Sequence, residues 1–421
     1  MYKVRYQIFE IQIIKIATFC AILFFFGKST CLANDATVSN IFVKSKDEKA
    51  TLSIKISRPP KSTPIPESGF PLVLIIPGTR GSSDVYFDFV DLNSHSDGFA
   101  GIADRLNQEG VVVVRFDSRA RTAPSKCLKT GETRERTEAE NKVLYETVCW
   151  NNDEGGTIDF QTWMEDIATV FDVSLSFVHI DSKKIVLVGT SEGFVHMSFA
   201  LANKKIYGKA AFGIGAPADS LRNILMGQSV YGVISFLTHK FSNEVLMLDV
   251  TQISTELFDK VGVKDQEVFE KYFKEKKSIS RDDVLEFRNF LLSDRAKLVD
   301  LAKKYPRSAT VTENNGDYSQ TLFSIGYVKD VYINDIGTIQ PLDLLYDFTG
   351  PIKLYYGSDD HLVNVDLQRP ILEAAKKKNP HIEYEVFQGL MHGLQKRNES
   401  FPSDEIARKL AGEIFAALMA P

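Results

Sequence analysis

Runs of apolar residues alternate along the chain with segments that have a helical pattern. Residues 72–76 (LVLII) and 111–114 (VVVV) are continuous aliphatic runs, which are typical of strands buried on both faces of a parallel sheet. Residues 51–57 alternate polar and apolar side chains, which predicts a half-exposed antiparallel strand paired with residues 40–44 across a turn at 46–49. Four more strands are predicted at residues 184–188, 209–214, 352–356 and 384–387.

Helical patterns lie between these predicted strands. Apolar positions spaced to cover one side predict helices at residues 98–108 and 160–177, and another helix follows residue 191. The chain closes with a predicted helix at 404–419, for which Ser403 is a suitable N-cap. Strand and helix signals that alternate in this way predict an α/β fold with a doubly wound, mostly parallel sheet.

Two segments interrupt the alternation. Residues 123–159 are polar and irregular, and residues 218–345 are mostly helical in pattern. We interpret 218–345 as a helical cap or lid inserted into a single domain formed by residues 34–217 and 346–421. Apolar positions at 221–237 leave two interpretations open, an acyl pocket or ordinary packing of the cap.

The first 33 residues have the order of a secretory signal peptide. Basic residues near the start precede a run of twelve almost wholly apolar residues, IATFCAILFFFG, and small residues follow. That run is shorter than the ~20 residues that a membrane span needs, and no later segment is long and apolar enough to span a membrane. We expect cleavage between Ala33 and Asn34 and a secreted or periplasmic protein; an uncleaved anchor is the alternative.

Two of the four cysteines lie in the predicted signal peptide, and Cys127 and Cys149 remain. An even pair in an oxidising compartment predicts a disulfide, with two buried free cysteines as the alternative. The net charge of −5 and the pI of about 5.9 disfavour a nucleic-acid partner, because phosphate binding needs a basic surface.

A serine lies between two glycines where a predicted strand meets a predicted helix, in the sequence GTSEG at residues 189–193. Glycines permit a sharp reversal there, which would expose the Ser191 hydroxyl above the sheet edge. The backbone N–H of Glu192 would start the helix, where negative charge is favoured. This geometry suits a nucleophile and half of an oxyanion hole. For the Glu192 side chain, contact with substrate and surface exposure are both open.

A serine nucleophile needs a base, and the base needs an orienting acid. His392 follows the final predicted strand in GLMHG, whereas His196 lies on the helix after Ser191 and should point away from its hydroxyl. Asp360 follows the preceding strand in GSDDHLV, and Asp359 is the alternative acid.

These motifs, in the order Ser, Asp, His, resemble those of the α/β-hydrolases. The resemblance implies an α/β-hydrolase fold with Ser191, Asp360 and His392 as the catalytic triad. The loop IIPGTRG at residues 75–81 is similar to the oxyanion loop of that family. It implies backbone N–H donors from Thr79 or Arg80 in addition to Glu192.

The implied reaction is acyl transfer to water through an acyl-enzyme, which needs no metal or organic cofactor. A small-molecule carboxylic ester is the expected substrate. A serine peptidase or aminopeptidase of the same fold is the first alternative, and a non-catalytic binding protein is the second. The peptidase would need cap carboxylates to bind a substrate amine, and the candidates are Glu256, Glu267, Glu270 and Glu275. The oligomeric state is left open.

Overall fold

The computed structural model describes residues 36–78, 100–119, 157–241, 245–260, 263–307, 324–396 and 402–420. The predicted signal peptide, Cys127, Cys149, Thr79 and Arg80 lie outside the described residues. Among the helices of the described ranges, none is both long and apolar enough to cross a membrane.

Eight strands form one sheet in the order β1-β2-β4-β3-β5-β6-β9-β10, and β7 and β8 form a separate pair. The strands are β1 (Ala36–Lys44), β2 (Thr51–Pro60), β3 (Phe70–Ile76), β4 (Val112–Phe116), β5 (Ile180–Thr190), β6 (Ala210–Ile214), β7 (Leu248–Asp249), β8 (Ser278–Ile279), β9 (Ile352–Gly357) and β10 (Ile382–Phe387). Strands β1 and β2 form the predicted antiparallel hairpin, with Lys44 opposite Thr51, and β2 is antiparallel to β4. Along the eight-stranded sheet, every pairing in the order β4-β3-β5-β6-β9-β10 is parallel, which confirms the predicted mostly parallel sheet.

Helices cover both faces of this sheet. The α-helices of the described residues are α1 (Ala100–Gln108), α2 (Phe160–Phe177), α3 (Glu192–Ala202), α4 (Leu221–Met226), α5 (Gly232–Lys240), α6 (Val250–Lys260), α7 (Val263–Tyr272), α8 (Arg281–Lys304), α9 (Ile325–Val328), α10 (Val365–Lys378) and α11 (Asp404–Met419). Side chains alternate between the two faces of a strand, so Leu72 and Leu74 of β3 join a central core with α2 and α3. Val73 and Ile75 pack on the other face against α1 and α11.

The segment from α4 to residue 345 connects β6 to β9, which are neighbours in the sheet. We call residues 227–304 its leading part and residues 324–345 its trailing part. A π-helical turn, Gly227–Tyr231, opens the leading part between α4 and α5. The trailing part continues from α9 through a π-helical turn and two 3₁₀ turns.

Apolar residues at 221–237 are used for packing. Leu221 and Ile224 are buried in the central core, while Val230, Val233 and Leu237 are buried in a separate cluster within the leading part. Ordinary packing therefore accounts for these five positions, and an acyl pocket formed by residues 221–237 stays a prediction.

Candidate active site

The strand, turn and helix predicted around Ser191 are present. Strand β5 ends at Thr190, helix α3 begins at Glu192, and Ser191 between them has φ 49° and ψ −128°. A positive φ is strained for a residue with a side chain. The Ser191 N–H donates to the carbonyl of Ile214 at 2.8 Å, which ties this turn to the end of β6.

The two flanking glycines are required by close backbone approaches. A Cβ on Gly189 would lie 2.5 Å from Phe194 Cα, and a Cβ on Gly193 would lie 2.4 Å from the carbonyl oxygens of Ile76 and Pro77. No side chain fits at such distances. Gly193 therefore lets helix α3 start directly against the loop that follows β3.

That loop is the one implied to supply oxyanion donors. The Gly78 N–H donates to Thr190 Oγ1 at 3.1 Å, and the Thr190 hydroxyl lies 3.4 Å from the Ile76 carbonyl. These contacts hold the described start of the loop beside Ser191. The expected donors Thr79 and Arg80 follow immediately but lie outside the described residues.

Asp360 and His392 are joined in a buried pair. His392 Nδ1 lies 2.7 Å from Asp360 Oδ2, and both residues are almost fully buried. The other carboxylate oxygen, Oδ1, accepts the backbone N–H groups of Leu362 and Val363, each at 2.8 Å. The carboxylate is thus fixed by three hydrogen bonds, and it orients the imidazole with Nδ1 inward.

Asp359, the alternative acid, is exposed and accepts a hydrogen bond from the neighbouring Ser358 hydroxyl. Its backbone N–H donates to the carbonyl of Leu390 at 3.0 Å. The backbone of Gly357 also lies close to the Leu390 carbonyl, since a Cβ on Gly357 would lie 2.0 Å from its oxygen. Asp359 thus joins the loop after β9 to the histidine loop through its backbone, while Asp360 makes the side-chain contact.

Residues 214 and 215 connect the serine turn to the histidine. Ile214 accepts the Ser191 N–H, and Gly215, the next residue, packs against the His392 ring. A Cβ on Gly215 would lie 2.8 Å from both Nδ1 and Cε1 of that ring, and Gly215 has φ +55°. Ser191 and the His392 imidazole therefore both contact the carboxyl end of β6.

The Glu192 side chain points into the interior of the protein. It is buried, it lies 3.1 Å from His196 Nε2, and it accepts a hydrogen bond from the Tyr327 hydroxyl. The expectation of surface exposure is therefore wrong, and these inward contacts give no support to substrate contact. The i, i+4 spacing of Glu192 and His196 was visible in the sequence. Tyr327 is 135 residues further along the chain, and no local sequence pattern predicts its contact with Glu192.

The C-terminal part of the chain matches a known protein family. The model of the Dienelactone hydrolase family matches residues 334–421, a stretch that holds Asp360 and His392 but not Ser191. The sheet order, the parallel pairing and the helices on both faces agree with the α/β-hydrolase fold that the sequence motifs imply. The chain has the α/β-hydrolase fold. No curated protein matches it in sequence.

Solved structures of several hydrolases are similar to this chain. Est1E from Butyrivibrio proteoclasticus is 14% identical with a TM-score of 0.44, over 91% of this chain and 99% of Est1E. An esterase from Pyrococcus furiosus is 15% identical with a TM-score of 0.44, over 93% and 94%. The acylaminoacyl peptidase of Pyrococcus horikoshii is 11% identical with a TM-score of 0.47, over 91% of this chain and 42% of that one. At identities and TM-scores this low, none of them indicates a substrate for this chain.

Proposed function

We propose that this chain is a serine hydrolase that cleaves carboxylic esters through an acyl-enzyme. The observation that carries the proposal is the buried Asp360–His392 pair, which lies at the same end of β6 as the strained Ser191 turn. A nucleophile, a base and an acid that orients the base are the three parts that acyl transfer requires.

In the proposed reaction the Ser191 Oγ attacks the ester carbonyl carbon and gives its proton to His392 Nε2. Asp360 accepts the Nδ1–H and stabilises the imidazolium. The backbone N–H of Glu192, with Thr79 or Arg80, would donate to the oxyanion. The leaving alcohol takes the proton from His392, and a water molecule that His392 then deprotonates attacks the acyl carbon and releases the acid and Ser191.

The ester is favoured over an aminoacyl substrate because two of the four carboxylates considered for amine recognition are already engaged. Glu256 forms an ion pair with Lys240, and Glu270 accepts a hydrogen bond from Ser254. Glu275 lies 3.8 Å from Lys274 on the surface, and the side chain of Glu267 lies outside the described residues.

The test is hydrolysis of p-nitrophenyl esters of increasing acyl length, alongside aminoacyl p-nitroanilides. We expect ester turnover that Ser191→Ala abolishes. Ser198→Ala is the matched control, because Ser198 is a buried serine on the same helix whose hydroxyl donates to the Phe194 carbonyl at 2.8 Å. Anilide turnover without ester turnover would favour the peptidase, and no turnover of either kind would favour a non-catalytic binding protein.

We also propose that residues 1–33 direct export and that Cys127 and Cys149 form a disulfide in the exported protein. A disulfide that closes the loop from residue 127 to residue 149 adds about 3 kcal/mol to the stability in the chain-entropy model. Amino-terminal sequencing of the exported protein should begin at Asn34, and thiol titration of the denatured, unreduced protein should find no free thiol. Two free thiols would contradict the disulfide.

A further inference from the structure

A buried polar cluster lies behind the Ser191 turn and joins helix α3 to the trailing part. Two donors converge on one carboxylate oxygen, since Glu192 Oε1 is the partner of both the Tyr327 hydroxyl and His196 Nε2. All three residues are almost fully buried. A carboxylate in such a place needs hydrogen bonds to remain there.

Both donors keep their protons. Burial lowers the pKa of His196, which favours the neutral ring, and a neutral ring that contacts a carboxylate through Nε2 carries its proton there. Burial, and then the negative charge of Glu192, raise the pKa of Tyr327 well above 10. Two donors, the Tyr327 hydroxyl and His196 Nε2–H, therefore hold the Glu192 side chain.

The two donors are themselves held in place. The rings of Phe160 and Trp163 pack edge-on against His196, with centroids 4.9 and 5.3 Å from it. The Tyr327 N–H donates to Ser324 Oγ at 3.0 Å, at the start of α9. Beyond α9, Asp330 accepts the Phe160 N–H at 3.1 Å, so the trailing part is fixed against α2 beside this cluster.

The same carboxylate belongs to the residue whose backbone N–H would meet the oxyanion. Glu192 is the first residue of α3, where an N–H has no intrahelical acceptor. The preceding turn at Ser191 has a positive φ, a conformation that persists only where its surroundings hold it. Fixing the Glu192 side chain restricts rotation of its backbone, and hence the direction of that N–H.

We infer that Tyr327 and His196 are positioning residues that hold Glu192 through its carboxylate and so aim its backbone N–H at the oxyanion of the proposed reaction. The inference rests on the proposed function. It gives the trailing part a role in acyl transfer, although the reacting groups lie on the loops of the sheet. An oxyanion donor acts mainly in the transition state, so its misplacement should lower kcat and leave KM little changed.

The experiment measures kcat and KM for p-nitrophenyl ester hydrolysis in four variants of the full chain. Tyr327→Phe removes one donor, Glu192→Leu removes the acceptor, Glu192→Gln restores an acceptor oxygen, and the fourth variant combines Tyr327→Phe with Glu192→Leu. Tyr355→Phe is the matched control, because Tyr355 is a buried tyrosine whose hydroxyl donates to the Glu413 carboxylate at 2.6 Å. That bond lies on the other face of the sheet.

Losing a whole oxyanion donor costs about 100- to 1000-fold, so we expect Tyr327→Phe and Glu192→Leu each to lower kcat about tenfold, with KM within about twofold. Glu192→Gln should recover most of the loss. The double variant should match the single ones, because residues acting through one network are not additive. Tyr355→Phe should leave kcat unchanged.

The outcomes separate the inference from the function. A wild-type protein without ester turnover contradicts the proposed function. Wild-type turnover with Tyr327→Phe unchanged, or lowered no more than Tyr355→Phe, contradicts the inference alone, as do losses that multiply in the double variant. Tyr327→Phe keeps the ring and its packing, so its result decides the question even where Glu192→Leu does not fold.

Discussion

The two parts of the segment between β6 and β9 bury their apolar side chains in different places. In the leading part, Phe269, Phe273 and Phe287 pack with one another and with neighbouring helices in a cluster of their own. In the trailing part, Tyr327 and Leu342 are buried in the central core of the sheet. The connection between β6 and β9 thus contains a unit with its own core and a unit that completes the core of the fold.

This difference indicates where the segment could influence the candidate site. Gln228, in the leading part, donates to the Leu362 carbonyl at 2.7 Å in a hydrogen bond that is exposed to solvent. Tyr327, in the trailing part, reaches the buried Glu192. Between the two parts, Leu298 and Ala302 of α8 pack against Ile325 and Val328 of α9. Disturbing the leading part should therefore stay local, whereas disturbing the trailing part should reach the sheet.

The largest effect is expected for Phe287→Ala. Phe287 is 1% exposed and its ring lies 5.2 Å from that of Phe273, and removing such a ring costs about 3–5 kcal/mol. Hydrogen exchange should accelerate in α5 and α8 while β3 and β5 remain protected. Equal acceleration in the sheet would show that the leading part does not have separate stability.

Leu342→Ala should accelerate hydrogen exchange in the sheet, where Phe287→Ala leaves exchange unchanged. Leu342 is 3% exposed and lies in the central core, so its truncation should cost about 2–5 kcal/mol. We expect the urea midpoint of the main unfolding transition to fall and exchange in β3 and β5 to accelerate. Exchange that accelerates only at residues 324–345 would contradict the assignment of the trailing part to the core of the sheet.

Arg307→Met should have a smaller effect, on the contact between the trailing part and the start of α2. The Arg307 guanidinium donates to both oxygens of the buried Asp330, at 2.8 and 2.7 Å, and to Asp159 at 3.0 Å. Because the Arg307 side chain is 44% exposed, we expect a loss of about 1–2 kcal/mol, measured as a lower urea midpoint. Arg369→Met is the matched control, since its pair with Asp366 is exposed and should contribute little. Equal losses of stability in Arg307→Met and Arg369→Met would contradict a larger contribution from the Arg307 pairs.

The smallest effect is expected in acid, and it concerns the sheet domain. Burial raises the pKa of Asp47, but hydrogen bonds from Arg119 and Ser45 and the charge of Arg119 outweigh it, and they bring the pKa from 3.8 to about 2. A lowered pKa stabilises the folded state above pH 3.8, and that contribution disappears as the pH falls through about 2. Asp47→Asn should therefore be less stable than wild type at pH 7, and the difference should shrink between pH 4 and 2. A constant difference in urea midpoint across that window would contradict this.

Much of the sheet domain could be predicted because its signals are local. Helix α2 has its predicted bounds, residues 160–177, and α11 begins after the predicted N-cap Ser403. The runs at β3 and β4 are buried along their whole length, as continuous aliphatic runs predict. Spacing around Ser191, Asp360 and His392 placed each at the carboxyl end of a strand, and the structure brings Asp360 and His392 into contact.

The segment between β6 and β9 was predicted less completely because its structure depends on distant contacts. The β7–β8 pair is only two residues long in each strand, too short for a periodic signal. Outside this segment, helix α10 contains Pro370, which argues against a helix from sequence alone. Tyr327 resembles many apolar positions until the fold places it against Glu192, so the division between the leading and trailing parts could not be derived from local pattern.

Covalent labelling of Ser191 tests the central proposal most directly. A fluorophosphonate should form one adduct, which peptide mass spectrometry should place on the peptide containing Ser191. Labelling should be absent in Ser191→Ala, greatly slowed in His392→Ala, and unchanged in the buried-serine control Ser198→Ala. An intact wild-type protein that remains unlabelled, or that is labelled only at another residue, would contradict the account of this chain as a Ser191 hydrolase.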